Sequence, residues 1–285
     1  MKYSSEILNI IELKTKYPNI NFFRNIRYCD KEKYCEIIDE INGNENLRKK
    51  MKEEYFPSDV LKLCGKEINY NSTVDSNINQ LLVWGCELIL LYSNELNLYL
   101  KMKKEYESYF FTGNYKKAEM TIDKIEKNIM CSVWGKQQKL LIWELTKDDN
   151  KTKNLNVAIE KNRSSNCAAL AISLTGKLVD TNISYEKYNQ VINNLLDSGQ
   201  KNSPAWRYFD YKFSIDKEKS IQGIKIALIT DEQISLIDFF ETYIDSLIYL
   251  YDRNQKLIIE NIVGKIYKVI NDYIMKEENN EIKRR

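Results

Sequence analysis

The stretch Tyr109-Phe-Phe-Thr-Gly-Asn-Tyr-Lys-Lys-Ala118 decides how this chain is read. Downstream of Gly113-Asn114, the apolar or small residues Tyr115, Ala118, Ile122, Ile125 and Ile129 recur at steps of three and four. That spacing places them on one face of an α-helix. Upstream, Tyr99, Met102, Tyr106, Tyr109 and Phe110 follow the same rule. Two apolar stripes joined by two residues must face each other, so the sequence predicts a helical hairpin over roughly residues 94–129. A bulky residue at Gly113 or Ala118 is expected to loosen it.

The same pattern continues outward in both directions. The 285 residues include only 9 Gly and 3 Pro, and so little turn punctuation favours long helices with short connections. Ser4 or Ser5 caps a first helix that stops before Pro18, and Asp30 caps one with Tyr34, Ile37, Ile38 and Ile41 inward. A charged helix follows from Glu45 to Tyr55, and Pro57-Ser58-Asp59 opens a short one. The polar stretch from Lys66 to Ser76 marks a boundary, giving an N-terminal helical cap over 1–72 and a helical array over 73–285. Leu81 to Leu91 is apolar nearly all round and reads as a core helix. Ser132 caps a helix carrying Val133, Trp134, Leu140, Leu141 and Leu145, which ends at Asp148-Asp149-Asn150. Further helices are expected from Ser164, from Ser184, from Ser203-Pro204 and from Lys217 to Leu228. Thr230-Asp231 then caps a long one, Glu232 to Asp252, and a last amphipathic helix starts at Gln255. The fold class expected is all-α, an irregular right-handed array of helical hairpins.

At the central hairpin the residues resemble a tetratricopeptide repeat. Tyr109, Gly113, Tyr115 and Ala118 stand at that family's spacing of aromatic, turn glycine, aromatic and small residue. Glu105-Tyr106 replaces its usual Leu-Gly, Ile125 its second small residue and Met130 its closing proline. The next hairpin, Val133 to Asn162, puts Ala158 forty residues after Ala118, longer than the family's 34-residue period. The resemblance implies an α-solenoid whose concave face binds a protein or peptide.

Composition removes several function classes. The chain has no His, which excludes Ser-His-Asp and Cys-His catalysis and most zinc sites. None of the Gly-Lys pairs at Gly65, Gly135, Gly176 and Gly264 is followed by Ser or Thr, so no phosphate loop is present, and no cofactor or metal is read. The 43 basic and 41 acidic residues nearly cancel. Basic runs such as Arg48-Lys49-Lys50 are answered at once by Glu53-Glu54, which suits solvated helix faces better than nucleic acid. Cys29, Cys35, Cys64, Cys86, Cys131 and Cys167 are scattered and read as reduced, buried thiols. The start has no signal-peptide design and the longest apolar run is too short to span a bilayer, so a cytoplasmic protein is expected.

Two candidate partner surfaces remain. Between Lys225 and Arg253 there is no Lys or Arg, and Asp231, Asp238, Glu241, Asp245 and Asp252 fall within a stripe of roughly 80 degrees. Such a stripe fits a basic partner. Among the 20 Tyr and 4 Trp, the set to examine for an exposed recognition surface is Tyr106, Trp143, Tyr208 and Tyr211. The function expected is a non-catalytic adaptor or regulatory subunit. The alternatives are a nucleic-acid-associated array and an enzyme built on carboxylates, the latter around Glu87 or the Asp238/Glu241/Asp245 set.

Overall fold

Every regular element in the computed structural model is a helix, among the residues it describes: 4–16, 23–29, 31–61, 77–161, 167–180, 182–198, 204–213, 220–251 and 259–269. In chain order they are α1 (Ser5–Lys16), two short 3-10 turns (Phe23–Tyr28, Lys31–Lys33), α2 (Tyr34–Asn42), α3 (Glu45–Tyr55), α4 (Ile78–Leu91), α5 (Ser93–Phe111) and α6 (Tyr115–Asn128). Then follow α7 (Val133–Thr146), α8 (Asp149–Glu160), α9 (Cys167–Val179), α10 (Tyr185–Ser198), α11 (Pro204–Phe213), α12 (Ile221–Ile234), α13 (Leu236–Tyr251) and a helix over 259–269. None of these helices is long and apolar enough to cross a membrane. The expectations for Cys64, Asp252, Ser164, Ser203 and the charged tail lie outside the described residues.

The chain divides into two compact units, and the division falls inside α5 and α13. One unit comprises Met1–Glu54, Ser76–Leu98 and Tyr243–Arg285, the other Tyr55–Asp75 and Tyr99–Thr242. Neither coincides with the expected 1–72 and 73–285, because the first unit also draws on α4 and the second half of α13.

In the first unit α4 is the central element. Leu81, Leu82, Trp84, Cys86, Leu88, Ile89 and Leu91 are all buried, as its all-round apolarity requires. Helix α2 packs on it through Tyr34, whose ring meets Trp84 edge-on at 5.4 Å and whose hydroxyl donates to the Arg27 carbonyl. Its inward set is the expected one, Tyr34, Ile37, Ile38 and Ile41, although α2 begins later than Asp30 implies. The Tyr243 hydroxyl donates to the Leu82 carbonyl from the α13 side.

The second unit holds the deciding hairpin. Tyr106, Ala118, Ile122 and Ile142 form one buried cluster, with Tyr109, Phe110, Tyr115, Trp134 and Trp143 packed around it. Helix α5 ends in a paired C-cap: the Asn114 N–H donates to the Tyr109 carbonyl (2.8 Å) and the Gly113 N–H to that of Phe110 (3.0 Å). Gly113 sits in the left-handed region at φ 75° and Asn114 then caps α6 through the Lys117 N–H. The next hairpin repeats this in detail. The Asp148 N–H donates to the Trp143 carbonyl (2.8 Å), the Lys147 N–H to that of Glu144 (3.2 Å), and Asp148 caps α8 through the Lys151 N–H. Lys147 takes the left-handed conformation, φ 57°, where its counterpart is glycine. It follows Gly113 by 34 residues, as Asp148 follows Asn114. The register of the array is therefore in its turns, and measuring from Ala118 to Ala158 obscured it.

Packing in this unit runs mainly between neighbours in sequence: α6 on α7, α7 on α8, α8 on α9, α10 on α11 and α11 on α12, with α7 also against α9. Gly135 serves the α6–α7 approach. A Cβ there would lie 3.3 Å from Ser132 Oγ and 3.5 Å from Ile122 Cγ2. Two expectations are corrected. The Pro57 segment is not helical; its carbonyl accepts from the Cys131 N–H instead. The long helix from Glu232 is in fact two, α12 and α13, broken at Ser235, whose backbone is extended (φ −158°, ψ 158°). Thr230 and Asp231 do not start a helix; both are buried within α12.

Candidate functional site

The carboxylates singled out from the sequence converge on the break between α12 and α13, but they face inward. Ser235 starts α13 by accepting from the Asp238 N–H (3.1 Å) and donates its own hydroxyl to Asp238 Oδ2 (2.7 Å). Asp238 then reaches across to the start of α7, where Oδ2 accepts from the Val133 N–H (2.8 Å) and Oδ1 from that of Trp134 (2.9 Å). The Gly135 N–H is taken by Ser132 Oγ. The first three N–H groups of α7, which no intrahelical carbonyl can reach, are thus all satisfied. One buried carboxylate serves two helix starts. Burial first, and the neighbouring Asp231 carboxylate second, push its pKa up to about 6, against the opposing effect of the donors from Ser235, Trp134 and Val133.

Asp231 is the second carboxylate of the group, 1% exposed. Its Oδ1 accepts from the Tyr208 hydroxyl (2.8 Å), and its Oδ2 takes the Thr242 hydroxyl and an ion pair with Lys212 Nζ (2.6 Å). Burial works against the Lys212 ammonium, but the pull of Asp231, and more weakly of Asp238, exceeds it and raises the pKa. A lysine held protonated in this way is no nucleophile or base at neutral pH. Next along α13, Glu241 accepts from Lys103 Nζ through both oxygens at 2.8 Å and from the Tyr99 hydroxyl at 2.8 Å. Lys103 also lies over the Trp134 ring at 5.8 Å. Burial and then Glu241 push the Tyr99 phenol well up.

The sequence-derived set is therefore split. Asp238, Tyr106, Tyr208 and Tyr211 are buried, so they are not part of an exposed docking face. Tyr106 donates to Gln138 Oε1 (2.7 Å), inside the α5–α7 contact. Glu241 is half-buried in its ion pair. Trp143 is half-buried and pinned by a 2.7 Å bond from its Nε1 to Glu119, which also pairs with Lys151. Of the carboxylate stripe only Asp245 is exposed, and Asp252 lies outside the described residues. Glu87 is neither isolated nor solvated: its side chain keeps 12% exposure and pairs with Lys265 at 3.2 Å. Among the described residues no group of three or more Asp, Glu or Cys could hold a metal ion.

What the second unit does present to solvent is apolar and recurs with the turns. Phe111, in the last turn of α5, is 82% exposed, and Leu145, its counterpart 34 residues later in the last turn of α7, is 44% exposed. Leu178 occupies the last turn of α9 and is 48% exposed. Sequence reasoning placed Leu145 in an inward stripe and did not single out Phe111 or Leu178. The signal that finds them is the 34-residue turn register. No protein-family model matches the chain, and no curated protein or solved structure does so either.

Proposed function

We propose that this chain is a non-catalytic, tetratricopeptide-like scaffold that binds a partner protein or peptide. The observation that carries the reading is the pair of identically capped hairpin turns 34 residues apart, at Gly113-Asn114 and Lys147-Asp148. Helices α5 to α10 then act as three hairpins, each packed on the next. A recurring turn repeats whatever stands beside it, so Phe111, Leu145 and Leu178 become a row of apolar side chains along one edge. Exposed apolar groups at regular spacing have a use in burying a partner and little use otherwise. The inward engagement of Asp238, Asp231 and Glu241 supports a structural role for the carboxylates, and it removes the reason to expect a basic partner. The carboxylates here act as helix caps and ion-pair members, which leaves the enzyme reading without a reacting group.

The test is affinity capture of the full chain from an extract of its own cells, followed by mass spectrometry and washing at increasing salt. The reading expects a protein retained in stoichiometric amount through moderate salt, and lost with Phe111→Lys/Leu145→Lys of unchanged circular dichroism. Recovery of nucleic acid that washes off steeply with salt would replace the reading with a nucleic-acid array. Retention by the double variant equal to wild type would move the binding surface elsewhere.

A further inference from the structure

Asp231 and Asp238 are both buried, lie on either side of the Ser235 break, and are treated differently by their surroundings. Asp231 has the Lys212 ammonium and two hydroxyls. Asp238 has only dipoles, namely the Val133 and Trp134 N–H groups and the Ser235 hydroxyl; among the described residues no ammonium or guanidinium pairs with it. The groups facing it from the packed elements are Asp231 and Glu232 of α12, Lys212 and Tyr208 of α11, Tyr99 and Lys103 of α5 and Glu241 of its own helix. The first turn of α7 offers backbone N–H groups alone. A carboxylate 6% exposed, next to a second carboxylate already claimed by the nearby lysine, holds its charge at a cost that would vanish in water.

We propose that Asp238 is a proton-operated latch: proton uptake tightens the seam between the start of α13 and the start of α7, and ionisation loosens it. The sign follows from linkage. In a docked seam the carboxyl titrates near 6; in an opened one it would titrate near its ordinary 3.8. The docked form binds the proton more tightly, so acid favours docking. This advantage is complete below about pH 4 and is lost as pH rises through about 6, the reverse of ordinary acid loosening. Between pH 7 and pH 5 the docked-to-open ratio rises about tenfold, the amount set by that difference in affinity over this interval. The donors in place make the ionised form viable too, so the seam is biased by pH rather than broken by it.

Two measurements on the full chain decide it. Carbon NMR of the Asp238 carboxyl is expected to titrate with a midpoint near 6; a midpoint below 5 overturns the latch without the need for any variant. Hydrogen exchange at the Val133 and Trp134 amides, corrected for the intrinsic effect of pH, is expected to show protection rising about tenfold from pH 7 to pH 5. In Asp238→Asn that rise is expected to disappear while protection of the α9 amides stays as in wild type. A flat or falling protection in wild type, or the same rise in Asp238→Asn, refutes the proposal.

Discussion

Exchanging the residues at the two left-handed turn positions tests whether the hairpins share one design. At Gly113 a Cβ meets nothing within 4 Å, so Gly113→Ala carries no steric term and reports the backbone alone. Forcing an L-residue to φ 75° costs roughly 1–2 kcal/mol, and the lower entropy of Ala in the unfolded chain returns about 0.5–1. The net is a loss of about 1 kcal/mol. Lys147→Gly runs the same arithmetic backwards, since Lys147 already bears the left-handed cost at φ 57°. Its ion pair with Glu144, at 3.2 Å on a side chain 66% exposed, is worth at most a few tenths. The variant should therefore be between about 0 and 1 kcal/mol more stable than wild type. Urea unfolding followed by tryptophan fluorescence reads both, since Trp134 and Trp143 lie in the hairpin cluster. Opposite signs are expected, with the double variant near wild type. A neutral Gly113→Ala, or a Lys147→Gly that loses more than 1 kcal/mol, would show that the turns are held by something other than their backbone.

Three further outcomes follow from the packing. Ile122→Ala removes a fully buried side chain from the cluster joining α5, α6 and α7, and should cost about 3 kcal/mol in urea unfolding. Ser132→Ala leaves the Gly135 N–H without its acceptor; it should cost about 1–2 kcal/mol, while Ser132→Asp, which can still cap, should cost less if it fits. Burial pushes the Cys86 thiol up to about 12, so it stays protonated and shielded at pH 8. Peptide mapping after brief alkylation should find Cys35, which is exposed, modified well before Cys86, and equal rates would mean that α4 is not the core helix described.

Much of this architecture could be read from spacing. The inward faces of α2, α4 and α6 follow from apolar periodicity alone, because burial of Ile37, Leu88 or Ile122 is decided by which side of a helix the residue occupies. Ser132 was legible as a cap for the same local reason. The second turn was harder, since Lys147 stands where glycine is expected and only its backbone discloses the equivalence. The α12–α13 break was missed because Thr230-Asp231 looks like a helix start. Its side chains are in fact committed to Tyr208, Thr242 and Lys212, and the signal that marks the true start is Ser235-Leu-Ile-Asp238, a capping-box spacing. The acidic stripe misled for a related reason. Charge pattern along one helix cannot reveal that a second helix, α7, brings bare N–H groups to meet it.

The central claim is that the hairpin edge at Phe111, Leu145 and Leu178 receives a partner. It is tested most directly by hydrogen exchange on the captured complex, compared with the chain alone. The account predicts that added protection concentrates in segments 108–114, 142–148 and 175–180, the three last turns and their caps. Protection confined to residues outside α5–α10, or none at all, would contradict it.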